Sequence, residues 1–138
     1  MFIKKVRFFL PGLMLMILLI SLVGCSMNNT TGIKPDHVQI QIDNHLPNEG
    51  KKLVTLSVIS MVQRLYATTL ALPQMPELQS CTLELGQDYQ VVFLQREKTL
   101  ASVVAQRYGC GVVTIAGEKQ SRLATQDFWS QLDQAVNF

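Results

Sequence analysis

The chain has 138 residues, of which 48% are hydrophobic, and a mean hydropathy of +0.20, a size that holds one modest domain. The formal charge of +2 is set by the first two dozen residues: without Lys4, Lys5 and Arg7, nine basic groups face ten acidic ones and the net charge is −1. No basic stripe is left for a nucleic acid, which excludes that class of partner.

Lys4, Lys5 and Arg7 stand ahead of the 16-residue apolar run Phe8 to Val23, which contains Pro11 and Gly12. A charged start followed by a short apolar run is the pattern of an export signal, whereas a spanning helix needs about 20 apolar residues. An uncleaved membrane anchor is the alternative. The run closes on Leu22, Val23, Gly24 and Cys25, which resembles the lipobox of bacterial lipoproteins. The resemblance implies that residues 1–24 are a signal peptide, that Cys25 receives a diacylglycerol thioether, and that the new amino terminus takes a further acyl chain such as palmitate. It also implies a place on the extracytoplasmic side of a membrane in the bacterial cell envelope. Two acyl chains make a stable anchor where one is marginal. An ordinary signal peptide with an incidental cysteine is the other reading.

Residues 25–36 then form the lipidated cysteine and a polar tether, SMNNTTGIKPD after Cys25, whose eleven residues reach roughly 17–20 Å as a flexible coil. Residues 37–138 are expected to form a single domain. His37 to Asp43 alternates Val38, Ile40 and Ile42 with polar residues, the pattern of a half-buried strand. After the break at Pro47, Asn48 and Gly50, the spacing of Val54, Val58, Met61, Val62, Leu65 and Leu72 predicts a helix over 53–72, ended by Pro73 and apolar around more than half its circumference. Pro73 to Ser80 reads as an irregular crossing. Tyr89 to Phe93 and Leu100 to Gln106 read as an antiparallel hairpin with a polar turn between them, and Val112 to Ile115 as another short strand before a turn at Gly117. Thr125 is a plausible N-cap for a final amphipathic helix with Asp127 near its positive end and Phe128, Trp129, Leu132 and Val136 facing inward. The expected fold class is α+β: a small antiparallel sheet covered by two helices, with one disulfide.

The chain has three cysteines, so lipid on Cys25 leaves Cys81 and Cys110 as an even set. Export to an oxidising compartment makes a disulfide between them the default, and Gly109 and Gly111 would let a second backbone segment approach closely. A reactive thiol at Cys110, helped by Arg107, is the sharper alternative. Leu65, Tyr66, Leu72, Pro73, Cys81, the Tyr89–Phe93 alternation, Gly109 with Cys110, and Phe128 with Trp129 together resemble a group of small bacterial secreted or lipoprotein domains with a two-cysteine disulfide. That group has no assigned activity, and it often has proline where Thr82 stands here.

The chemistry-bearing residues are sparse. His37, Asp43 and His45 share a face only if the strand continues, and then the two histidines stand about 27 Å apart, too far for one metal. No metal and no cofactor is expected. There is no G-x-S-x-G, no phosphate-binding glycine loop, and the carboxylates Glu84, Asp88 and Glu97 read as surface charges. Of the aromatic candidates, Tyr66 and Trp129 fall on helices where core packing is the simpler role, while Tyr89 lies in a strand. Arg96, Lys98, Arg107 and Tyr108 make the candidate contact patch. The expectation is a non-enzymatic module that binds an envelope protein or a cell-wall component. The alternatives are a small envelope enzyme, thiol-dependent or hydrolytic, and a protease-inhibitor-like module presenting a disulfide-braced loop.

Overall fold

Alternation in His37–Asp43 produces strand β1, with Val38, Ile40 and Ile42 buried and the residues between them turned the other way. In the computed structural model, which describes residues 32–45 and 50–138, the chain continues as β2 (Lys52–Leu56), α1 (Ile59–Leu70), β3 (Asp88–Gln95), β4 (Lys98–Gln106), β5 (Val112–Ile115), β6 (Arg122–Leu123) and α2 (Gln126–Val136). The expected signal peptide, Cys25 and most of the expected tether lie outside the described residues. Ile33–Phe138 forms one compact unit. No helix of the described residues is long and apolar enough to cross a membrane.

The strands form one open six-stranded sheet in the order β2-β1-β3-β4-β5-β6, antiparallel throughout. β1 sits between β2 and β3, with Val38 opposite Leu56 on one side and Phe93 on the other. One face carries Ile40, Val91, Phe93, Val103, Ala105 and Val113 into a buried cluster, which also takes Val62 and Leu65 from α1 and Phe128, Leu132 and Ala135 from α2. Each Val, Leu, Ile or Phe side chain among them contributes about 1.5–3 kcal/mol on burial, the alanines less. The opposite face presents Gln39, Thr55, Gln90, Ser102 and Thr114, all exposed.

The expected helix over 53–72 is corrected. Its first part is β2, and the helix occupies only Ile59–Leu70. Val54, which fits the helical spacing, also keeps a strand period with Leu56, and the unpaired edge of β1 supplies a backbone partner that a helix would leave unused. Of the apolar residues around α1, Val62 and Leu65 are fully buried with Thr69, Met61 and Tyr66 pack partly buried against the core, and Ile59 and Leu70 remain exposed. Tyr66 is half-buried and meets Phe93 edge-on, with ring centroids 5.0 Å apart.

The carboxy-terminal expectations hold better. Thr125 Oγ1 accepts from the Phe128 N–H, satisfying one of the donors a helix start leaves open, and Asp127 lies in the first turn. The inward face is carried by Phe128, Gln131, Leu132 and Ala135, with Trp129 half-buried. Gln131 links the helices by donating to Thr68 Oγ1 at 3.0 Å and also reaches Asp127 at 2.9 Å. β6, which the sequence reading did not contain, is tied to the end of α1 by Arg122: its guanidinium donates to the Leu70 and Leu72 carbonyls and pairs with both oxygens of Glu118, all at 2.8 Å.

Candidate functional site

Cys81 and Cys110 form a disulfide, with Cα atoms 5.2 Å apart. The disulfide expected for the pair left when Cys25 is set aside is present. The sulfur a thiol mechanism would use is therefore bonded to Cys81.

The candidate contact patch does not come together. Arg96 and Lys98 lie at the hairpin tip where β3 turns into β4, whereas Arg107 and Tyr108 follow the far end of β4. The strand between them has nine residues, which sets the two pairs about 26 Å or more apart. Arg107 and Tyr108 then part ways. Arg107 forms a bidentate pair with Asp133 of α2, both contacts at 2.6 Å, lies over the Trp129 ring at 5.0 Å from its centroid, and reaches Tyr89 Oη at 3.4 Å. The Asp133 pair pushes the guanidinium further above its ordinary pKa, so it stays charged. Tyr108 accepts from Gln106 Nε2 at 2.9 Å, and its hydroxyl is pushed above its ordinary value by desolvation first and by the neighbouring Asp88 carboxylate second.

Tyr89 belongs to the core, where its ring is buried and its hydroxyl donates to Gln87 Oε1 at 2.6 Å. Asn44, Lys52, Gln87, Tyr89, Arg107 and Asp133 border a cleft of about 320 Å³ at this end of the sheet. Its principal charged pair is already satisfied internally.

His37 and His45 also separate. His37 pairs with Asp36 at the start of β1. Past its end, His45 adopts a left-handed backbone (φ 50°), donates its N–H to Asp43 Oδ1 at 3.2 Å and sets Nε2 2.7 Å from Asp88 Oδ2. Lys51 adds a contact to Asp43 at 3.3 Å. Among the described residues, no group of three or more His, Cys, Asp and Glu is placed to hold a metal ion. Asp88 and Glu97 stand at opposite ends of β3, about 25 Å apart along the strand, which separates that carboxylate pair.

The feature the sequence reading missed is the segment Gln79–Gln87, which has no helix, turn or bend. Its Leu83 and Leu85 and the adjacent Leu78 are 105%, 91% and 99% exposed, while single exposed apolar residues are ordinary and a run of fully exposed ones is not. The segment is nevertheless fixed. Cys81 binds it to Cys110, the Thr82 carbonyl lies where a Cβ on Gly109 would meet it at 2.8 Å, Gly86 lies under the Tyr108 ring where a Cβ would stand 2.7 Å from Cδ1, and the Gln87 carbonyl accepts from Arg107 N–H at 3.1 Å. Gly109 also has φ +59°, so glycine is required there twice over. The signal was present: Cys81, Leu83 and Leu85 alternate with the polar Thr82 and Glu84 in a short run bounded by Pro76 and Gly86.

Compared with known proteins, the chain matches no protein-family model, no curated protein and no solved structure.

Proposed function

We propose that this chain is a lipid-anchored, non-enzymatic interaction module of a bacterial envelope, held to a membrane through Cys25, that contacts a partner protein through the pinned segment Gln79–Gln87. The carrying observation is the combination of fully exposed leucines with a covalent brace, since apolar side chains held out in water are the usual mark of an interface. The segment replaces the patch of Arg96, Lys98, Arg107 and Tyr108 as the contact surface. Within the binding class, the protease-inhibitor-like module gains support from the same brace, and an envelope protein is favoured over a cell-wall component because the exposed groups are apolar. The two helices serve as the cover of the buried sheet face and make a rigid base for the segment.

The enzyme reading has less support. Cys110 is bonded, Arg107 is paired with Asp133, and Asp88 is engaged by His45.

The test begins with native membranes. A photo-reactive amino acid at Leu83 of the full chain is expected to give an adduct with one other envelope protein, while the same probe at Gln39 on the open face gives none, and the intact mass shows acylation at Cys25. Absence of an adduct from Leu83, together with a turnover activity of the purified chain, overturns the reading.

A further inference from the structure

We propose that the pinned segment is a substrate-like strand for a serine endopeptidase with an apolar primary pocket, and that Leu83–Glu84 is the peptide bond it presents. This rests on the reading of Gln79–Gln87 as the contact surface and names the partner.

Endopeptidases bind a substrate as an extended strand, through its main-chain groups and one dominant side-chain pocket. From Thr82 to Gly86, among the described residues, no N–H or carbonyl takes part in a backbone–backbone hydrogen bond, and no turn or bend interrupts the run. A strand with unused donors and acceptors is ready for pairing with another chain. Leu83 is the most exposed of the leucines and stands two residues beyond Cys81, so its position is set by the covalent anchor while its side chain reaches outward.

Charge narrows the choice. No lysine or arginine occurs between Arg64 and Arg96, so a pocket that selects a cation finds nothing here, whereas an apolar pocket finds Leu83. Glu77 precedes Leu78 and Glu84 stands between Leu83 and Leu85, without a base in the segment. Such a segment is repelled by an anionic lipid surface, which favours a protein pocket over the membrane as the place where the leucines go.

The anchoring on both sides explains how the strand resists cleavage. When the enzyme's serine oxygen adds to the Leu83 carbonyl carbon and its proton passes to the Glu84 nitrogen, the C–N bond breaks. The leaving amine stays beside the acyl-enzyme, because Cys81 holds one side of the cut and the Gly86–Tyr108 and Gln87–Arg107 contacts hold the other. Re-addition of that amine expels the serine oxygen, which regains the proton, and the original bond is restored. Holding the two ends together gives this reversal a high effective concentration relative to attack by water.

The test uses the mature, disulfide-bonded chain in detergent against subtilisin, chymotrypsin and trypsin. The expected result is one-to-one inhibition of subtilisin or chymotrypsin with Leu83–Glu84 intact by mass spectrometry. Leu83→Asp is expected to weaken inhibition by about 100-fold, as for loss of a central interface side chain. Leu83→Lys is expected to redirect inhibition to trypsin, a gain that a merely misfolded variant does not produce. Inhibition of neither apolar-pocket enzyme, or ordinary turnover at Leu83–Glu84, overturns the proposal. So does binding of the non-acylated chain to phosphatidylglycerol vesicles that is lost in Leu83→Asp. A non-protease partner crosslinked at Leu83 overturns this inference and leaves the proposed function standing. No inhibition, with no adduct at Leu83 and a turnover activity of the purified chain, removes both.

Discussion

β3 is bounded by two exposed connections of opposite character. At its end the Arg96–Glu97 tip is charged, joins adjacent strands, and is steadied by a hydrogen bond from Arg96 N–H to Asp36 Oδ2 at 2.8 Å. At its start, Gln79–Gln87 carries leucines and is fixed by a disulfide and by close approaches at Gly86 and Gly109. The difference is physical. A charged tip is content in water and needs little to hold it there, whereas leucines on a free segment would collapse onto the nearest apolar surface. Only a covalent brace and tight backbone contacts keep them presented.

Cutting the brace is the strongest way to break that contrast. Replacing Cys81 and Cys110 by serine together is expected to remove about 3–4 kcal/mol, because the bridge closes a loop of about 30 residues. Urea denaturation reads the loss, and limited proteolysis should then cut first in Gln79–Gln87 and leave the Arg96–Glu97 tip alone. Equal cutting at both would show that the disulfide is not what distinguishes them.

Gly109→Ala comes next. It places a Cβ against the Thr82 carbonyl at a left-handed position and is expected to cost about 1–3 kcal/mol. Gly50→Ala, where a Cβ meets no atom within 4 Å, should stay within about 0.5 kcal/mol. Thermal melts of the two variants side by side check this.

Asp133→Ala unpairs Arg107, which fixes the end of the segment through its backbone. Both partners are part-exposed, at 35% and 44%, so the expected loss is about 0.5–1 kcal/mol. A larger loss would mean that the pair orders the segment as well as joining α2 to β4.

Each end of β1 has its own signature in acid, Asp36 beside the Arg96–Glu97 tip and Asp43 opposite Asp88 at the start of β3. Asp36 is held below its ordinary value of 3.8, first by the Arg96 N–H and then by His37; Asp43 is held below the same value, first by the His45 N–H. Folding therefore favours the charged carboxylates, and their contribution is present above the ordinary value and lost as pH falls through the lower folded values. Stability measured by urea is expected to be level from pH 7 to about 5 and to fall below about pH 4, with Asp36→Ala flattening part of that limb. An unchanged limb in that variant would show that the tip is steadied by other groups.

Leu83→Asp has the smallest expected effect on folding, within about 0.5 kcal/mol, because the side chain is fully exposed. Large loss of binding with no loss of stability is the sharpest outcome for a presented segment. A destabilised Leu83→Asp would mean that the leucine packs inward in solution.

The sequence alone determined the elements whose period is long and unambiguous. His37–Asp43 and the strands on either side of Arg96–Glu97 alternate cleanly, and Thr125 with Phe128 and Leu132 announces a capped helix. The cysteine pair followed from the expectation that Cys25 is set apart, which leaves Cys81 and Cys110 as an even set. Tertiary structure decided what those patterns leave degenerate. Val54 fits a helical spacing with Val58 and a strand period with Leu56, and the open edge of β1 made the segment a strand. Arg122–Leu123 is too short to show a period, and its place follows from pairing with β5. Arg96 and Lys98 are near Arg107 in sequence but are held apart by the length of β4, since an extended strand converts sequence separation into distance. The exposure of Leu78, Leu83 and Leu85 was settled last of all. Hydrophobicity alone argues for burying them, and only the disulfide and the contacts at Gly86 and Gly109 determine that they face water.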